Sequence, residues 1–385
     1  MPEKFKKNWR TWRFDQMAVM VNDRIDNPAD ADVEHYVGLE HLDSDSLTIR
    51  RWGTPSDVEA TKLRFHKGDI IFGRRRVYQR KLAVAPFDGI CSAHAMVLRA
   101  RPEVALPEFL PFFMQSDLFM ERAKQISVGS LSPTINWKTL AQEGFTLPPI
   151  EEQRRIAEML ASLQLTMENG RGVGESLAAL LTSWLEVQLN DAGRVCPLGD
   201  VLRSTEYGCS THANSRREGV PILRIPNVLR GELDLSDMKW VRLSEAETTK
   251  YLLRPGDILI VRTNGNPAYV GRCLVVPLLS EAMVYASYLI RLVVDPSKAR
   301  PEYVASALNS PGVRRKLRGS VRSSAGNFNL NTEGIRSVEV PMPDIAEQDR
   351  ILCKLAALKK TQNRCQERCR ELAAMQQTVI GGLEL

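Results

Sequence analysis

The run Arg74-Arg75-Arg76, with Lys81 shortly behind it, is the stretch of this chain best equipped to engage a partner molecule. Guanidinium groups stay charged, fork onto phosphate or onto guanine, and need a rigid element to aim them. That element is Ile70-Ile71-Phe72, a buried strand start after the turn Lys67-Gly68-Asp69. Lys67–Lys81 holds six basic residues against one acidic, and Arg314–Arg322 holds five against none. Patches so concentrated, in a chain whose net charge is only +6, point to a polyanion, with nucleic acid the default. Leu253–Ile260 (LRPGDILI) repeats Phe65–Phe72 (FHKGDIIF) at an offset of 188, so Arg262, Thr263 and Asn264 stand where Arg74, Arg75 and Arg76 stand. With Asn266, this second set is richer in amides, which pair with adenine edges, and poorer in charge. Ser92 and His94, just past a strand turn, and Arg224 and Asn227 in the second half complete the candidates for DNA contact. For any one of them a structural role competes with base contact.

Catalysis finds no comparable footing. Asp69 and Asp257 are turn residues after Gly, with no lysine-carboxylate arrangement behind them for a nuclease. The five histidines (His35, His41, His66, His94, His212) share no metal-ligand spacing. The seven cysteines are scattered without a C-x-x-C pair, which suits a reducing cytoplasm and argues against zinc or disulfides. No phosphate-binding loop for ATP is present. Asn266-Pro267-Ala268-Tyr269 approaches the Asn-Pro-Pro-Tyr signature of amino-methyltransferases, but no Gly-rich strand-to-helix turn accompanies it to receive S-adenosylmethionine. No apolar run approaches the ~18 residues of a membrane span, and the basic start of the chain lacks a signal peptide's apolar core.

The elements that must position the basic clusters come twice. Leu147–Gln188 begins LPPIEEQRRIAEMLASL, and Met342–Leu383 begins MPDIAEQDRILCKLAAL, 195 residues later. Steps of 4 and 3 pick out Ile156, Leu160, Leu163, Gly170, Gly174, Leu177 and Leu181 in the first, and Ile351, Leu355, Leu358, Cys365, Cys369 and Leu372 in the second. That is a heptad seam on each of two long helices. The offset is about 185 at Asp15/Asp200, 188 at the Gly-Asp turn and 195 from the polar loops onward. The helices keep one register while the globular parts drift, as expected if the helices pair along their length. Paired antiparallel, facing positions sum to 539, and Gly170 meets Cys369 while Gly174 meets Cys365. Close approach there would offset the glycines' cost of ~1 kcal/mol each; a kink or break over Gly170–Gly174 is the rival.

The expected architecture is α+β. A globular domain (1–150) precedes a helix (151–192), then a second domain (193–345) precedes a second helix (346–385). Within the first domain, residues 13–25 show helix-like periodicity, Tyr36–Leu39 reads as a short strand, and Pro107–Lys124 reads as one amphipathic helix with Phe112, Phe113 and Phe119 in the core. Pro301–Leu317 repeats that helix, and Asn136 and Asn331 take matching turn or helix-cap places after polar loops.

Together the paired Glu-Gln helices after proline-rich strand ends, Val220–Asp234 (VPILRIPNVLRGELD), Leu252–Arg272 (LLRPGDILIVRTNGNPAYVGR) and the loop SSAGNFNLN resemble the specificity subunits of type I restriction-modification enzymes. The first half carries a divergent form, FHKGDIIFGRRRVYQRKLAVAPFDGICSAH, and the resemblance covers nearly the whole chain. It implies two target-recognition domains, each reading half of a split double-stranded DNA site, joined by an antiparallel coiled coil with pseudo-twofold symmetry. It further implies docking of two methyltransferase subunits and two restriction subunits. S-adenosylmethionine, ATP and Mg would then belong to those partners, this chain would be non-catalytic and bind no cofactor itself, and adenine methylation and ATP-driven cleavage would follow. A heptad stretch of ~33 residues would be about 50 Å long, somewhat over one ~34 Å DNA turn, which would suit half-sites in successive grooves. A self-sufficient DNA methyltransferase and a partner-free DNA-binding regulator are the alternatives.

Overall fold

The computed structural model describes residues 8–229, 231–324 and 327–383. It divides into two compact units, one running to Arg171 and resuming at Gln366, the other spanning Gly172–Cys365. Each long helix is therefore shared between a unit that holds its start and a unit that holds its end.

In the first unit, Ala18–Val21, Ala95–Ala100, Ile70–Gly73 and Leu82–Val84 lie side by side as an antiparallel sheet. A second sheet orders Arg24–Ile25, Lys62–Phe65, Gly89–Ser92 and Tyr36–Val37, the last pair parallel. The 13–25 stretch thus corrects the helical expectation: only Phe14–Met17 is helical, and two strands follow. Its Phe14, Met17 and Ala18 are buried, so burial through a helix-to-strand change imitated a helical period. The second unit repeats the first sheet as Leu202–Tyr207, Leu289–Val294, Ile258–Val261 and Cys273–Val275. It repeats the other, reduced, as Lys239–Val241, Val220–Leu223 and Val284–Tyr285.

The Pro107–Lys124 helix is two helices, Leu110–Gln115 and Asp117–Gln125, and its counterpart is also two, Pro301–Asn309 and Pro311–Gly319. At each break a buried serine, Ser116 or Ser310, turns extended and its hydroxyl accepts an N–H of the next helix, from Phe119 or Val313. A capping serine restarts a helix at least as well as it continues one, and Pro311 cannot donate to the preceding turn. Phe112, Phe113 and Phe119 are buried in the first unit's core.

The first long helix runs unbroken from Ile150 to Asn190, through Gly170–Gly174, and the second from Ile345 to Gly381. Each is rooted by a small antiparallel ribbon. Arg10–Arg13 pairs with Gly144–Leu147, and Val195–Pro197 pairs with Glu339–Pro341. One buried glutamine then locks each helix start. The Gln153 side chain accepts from Leu106 N–H at 3.0 Å and donates to the Val104 and Pro148 carbonyls, both at 2.9 Å. Gln348, 195 residues on, accepts from Arg300 N–H at 2.8 Å and donates to the Pro343 carbonyl at 2.9 Å. Both side chains are almost fully buried, so these bonds satisfy amides that water cannot reach.

The helices pair antiparallel in both units. In the first, Ile156 and Leu160 share a core with Ile380 and Leu383; in the second, Leu181, Leu185 and Leu189 share one with Ile351 and Leu355. The seam positions Leu163, Leu177, Leu358, Cys365 and Cys369 are half-buried, and Leu372 is buried. The two glycines do not behave alike. A Cβ on Gly170 would come within 2.6 Å of the Cys369 sulfur, the partner whose number sums with it to 539. A Cβ on Gly174 would meet nothing within 4 Å, so the expected contact between Gly174 and Cys365 is not made. In the second unit Arg350 bonds Gln188 at 3.2 Å and the Lys354 ammonium sits 6.0 Å from the Trp184 ring centre, flanking the seam.

Candidate functional site

Each unit ends its central strand in a polar cluster braced by a returning hairpin. In the first unit the strand Ile70–Gly73 delivers Arg74, Arg75 and Arg76. The loop Ser127–Asn136 folds back on them. Val128 and Thr134 bond each other across the hairpin, Ile135 N–H donates to the Arg74 carbonyl at 2.9 Å, and Arg76 N–H donates to the Pro133 carbonyl at 2.8 Å. The Arg75 and Arg76 side chains are exposed, and their Nε groups both donate to Ser132 Oγ, at 2.8 and 3.3 Å. His94 Nε2 lies 3.4 Å from Arg75 Nη1, and the His94 backbone N–H donates to Ser92 Oγ at 3.2 Å. Burial, then Arg75, Arg74 and Lys62, hold the His94 ring below its ordinary pKa, so it is neutral near pH 7. An anion brought to this surface would meet two anchored guanidiniums beside a neutral imidazole.

The sequence cluster Lys67–Lys81 is not one patch in space. Lys67 lies before the strand Ile70–Gly73 and the arginines after it. Arg80 turns inward onto Asp45, Asp117 and the Gln115 carbonyl. Lys81 donates to the Leu39 carbonyl at 2.5 Å, which corrects its expected place among the DNA-facing groups. Arg74 is half-buried. Arg76 and Arg80 both take left-handed backbone, at φ 58° and 51°, around the turn Val77–Gln79. Non-glycine residues there carry strain, and two so close mark a turn whose shape the surroundings impose.

In the second unit the same place is built from a true ladder. Thr263-Asn264 pairs antiparallel with Asn327–Asn329, which pairs with Arg322–Ser324. Residues 325 and 326 of the loop SSAGNFNLN lie outside the described residues. The bridges Arg75–Thr134 and Val128–Thr134 are the first unit's reduced form of that ladder. Asn264 and Asn266 spend their amide oxygens locally, accepting from Asn266 N–H at 2.8 Å and Ala268 N–H at 2.9 Å, so Asn-Pro-Ala-Tyr is a turn. The Arg262 guanidinium lies 4.8 Å from the Tyr207 ring centre and donates to the Ser287 carbonyl at 3.3 Å. Arg314, from the basic run, faces inward and donates to the Ala268 and Val270 carbonyls, while Arg315, Lys316 and Arg318 stay exposed.

Two second-half candidates are corrected. Asn227 is only 1% exposed. Its amide oxygen accepts from Arg224 N–H at 2.8 Å and its NH2 donates to the Asp234 carbonyl at 2.8 Å. Arg224 pairs with Asp237 at 2.9 Å. The motif that carries both is an internal brace, because a strand end here needs its loop pinned. Asn331 caps its helix through Gly334 N–H at 2.7 Å, whereas Asn136 holds the equivalent position without a side-chain bond.

Three features escaped the sequence reading. Ser132 as the arginines' shared acceptor carries no local signal. The exposed Tyr288 and the Tyr207 ring beside Arg262 likewise stand in no motif. The buried Asp69, held by Arg99 at 2.7 and 2.9 Å, was legible, because Asp257 and Arg291 repeat it, 3.8 Å apart. Burial raises the Asp257 carboxyl above its usual range against the pull of Arg254 N–H and Arg291. Among the described residues, no three His, Cys, Asp or Glu side chains gather as a metal site, and no helix is long and apolar enough to cross a membrane.

Residues 56–173 match the family model of the type I restriction modification DNA specificity domain. The chain is similar to the specificity subunit of the type I restriction enzyme EcoKI of Escherichia coli (strain K12), 27% identical over 71% of this chain. It is also similar to the StySPI specificity subunit of Salmonella potsdam, 24% identical over 71% of this chain. It spans 62% of the length of each of these two relatives. Among solved structures, a chain from a study of assembly and conformational transition in the type I R-M system shares the fold. Its TM-score is 0.62 at 22% identity, over 99% of both chains. The type I restriction-modification S subunit of M. genitalium gives a TM-score of 0.58 at 14% identity, over 98% of this chain and 96% of that one.

Proposed function

We propose that this chain, a member of the type I restriction-modification specificity-subunit family, reads a split DNA site through two target-recognition domains, residues 1–150 and 193–345. It directs partner subunits to that site and carries out no chemistry itself. One observation supports this most: the same strand-end cluster with a returning hairpin is built twice, with different side chains. The first unit presents Arg75, Arg76 and His94. The second presents Thr263, Asn264 and Asn266 beside Arg262 and Tyr207. Two readers of one design and unlike chemistry suit a half-site each and an asymmetric target. Arginines would position the first reader on phosphates and reach guanine, while the amide NH2 groups of the second, whose oxygens already accept backbone N–H groups, would donate to acceptors on base edges.

The spacer helices, residues 151–192 and 346–385, with seams from Ile156 to Leu181 and from Ile351 to Leu372, would join the readers and carry two methyltransferase and two restriction subunits. Those partners would bring S-adenosylmethionine, ATP and Mg, methylating one adenine in each half-site and cleaving unmodified DNA in the cytoplasm. The test is a modified-base map of the host genome with and without this chain. The expected result is a split, asymmetric, adenine-methylated site that vanishes on its deletion. Methylation unchanged by the deletion would overturn the proposal.

A further inference from the structure

The hairpin braced on the first unit's arginines carries two apolar side chains into solvent. Its rails meet at Val128 and Thr134, whose backbones bond each other in both directions at 3.0 Å, and Arg75 bridges Thr134 as a third rail. Gly129, at φ 115°, supplies a backbone that other residues rarely adopt, which lets so short a ribbon reverse. Leu131 at the tip is 92% exposed and Val128 is 78% exposed. The unit's core ends at the hairpin's foot, where Ile135 is fully buried, so neither side chain serves that core. Isolated apolar residues on a surface are ordinary. Two on one short ribbon, with Ser132 beside the tip fixed by two guanidiniums, form a positioned apolar feature inside a cationic surface.

We infer that Leu131 and Val128 read thymine methyl groups in the half-site of the first unit, while Arg75 and Arg76 hold the flanking phosphates. The inference rests on the DNA reading proposed above. A ribbon pressed against a duplex meets phosphates, sugars and polar base edges, and the thymine C5 methyl is the apolar group the major groove offers. That groove, about 12 Å wide, admits a two-stranded ribbon. The Ser132 bonds to Arg75 and Arg76 couple the tip to the charges, so phosphate contact also sets its depth.

The test uses the full chain co-purified with its host's methyltransferase subunits and duplexes selected by that complex from a random pool. Deoxyuridine then replaces each thymidine of the selected site in turn, removing only the methyl. At one or more positions the wild type should bind about fourfold more weakly, roughly the worth of one buried methyl group. Leu131→Ala should bind thymine and uracil duplexes alike at that position, and Val128→Ser should blunt the difference. Three outcomes would overturn the inference: a selected half-site without thymine, a thymine preference intact in Leu131→Ala, or equal loss by Leu131→Ala on both duplexes, which would make Leu131 a wedge. A complex that selects no sequence at all would fail the DNA reading itself and carry this inference down with it.

Discussion

Replacing Arg75 and Arg76 together by alanine should change the salt dependence of DNA binding more than any other pair in the first unit. Both side chains are exposed, and both are anchored through Nε on Ser132 rather than through their terminal amino groups. Arg74 stays in place, because it is half-buried and its carbonyl holds the hairpin. Each phosphate contact releases condensed counterions, so the slope of log K against log salt is about −0.9 per contact. Losing two contacts should flatten it by about 1.8. Between ~50 and ~200 mM salt the advantage of wild type over the double variant should then shrink about tenfold. Fluorescence anisotropy with a labelled duplex, titrated across that range, reads the slope directly. Lys67→Ala is the control, because Lys67 lies at the other end of the strand Ile70–Gly73. Parallel salt lines for wild type and the double variant would refute the placement of the interface, as would an equal flattening by Lys67→Ala.

Other expectations follow from named contacts. Gln153→Ala leaves the Leu106 N–H and the Val104 and Pro148 carbonyls without partners, which should destabilise the first unit by about 3 kcal/mol. Hydrogen exchange read separately over residues 8–171 and 172–365 would show the loss in the first only, and a change under ~1 kcal/mol would count against the lock. Gly174→Ala should stabilise by about 0.5–1 kcal/mol in urea unfolding, from helix propensity in open space, whereas Gly170→Ala should not until Cys369 is also cut to Ala. Identical effects of the two glycine variants would mean the seam is misread. For His94, a ring pKa held low means the unfolded chain takes its proton first, so stability should fall as pH drops below the ordinary value of 6.5. Arg75→Ala should raise the ring's NMR titration midpoint, and a midpoint that does not move would remove Arg75 as a cause.

How much the sequence discloses depends on whether a feature is local or repeated. The duplication is fully legible, because the helices hold a 195-residue offset that the globular parts do not. A pair of helices that must stay in register tolerates no insertion, and that constraint writes itself into the chain as a fixed distance. The helix-start glutamines are written twice at that same distance, whereas the Asp-Arg pairs of the sheets are written twice at the drifting offsets of 188 and 192. The candidate site was less legible. Arg80, Lys81 and Arg224 are as basic in sequence as Arg75 and Arg76, yet the fold turns them onto internal acceptors. Asn227 has the chemistry of an adenine reader and a buried brace's place. Side-chain direction at a strand end follows from which loop returns to it, and those returns join residues more than fifty positions apart, as Arg75 and Ser132 show.

By itself, then, the sequence determined the two-fold repetition, the α+β class, the seam period and the strand ends that carry charge, since each rests on periodicity or on an internal copy. Only the tertiary structure decided which charges face outward, that Gly170 and not Gly174 sits against a cysteine, and that a hairpin bearing Leu131 stands beside the arginines. Those outcomes depend on long-range closure and on local register, which no single stretch of chain contains.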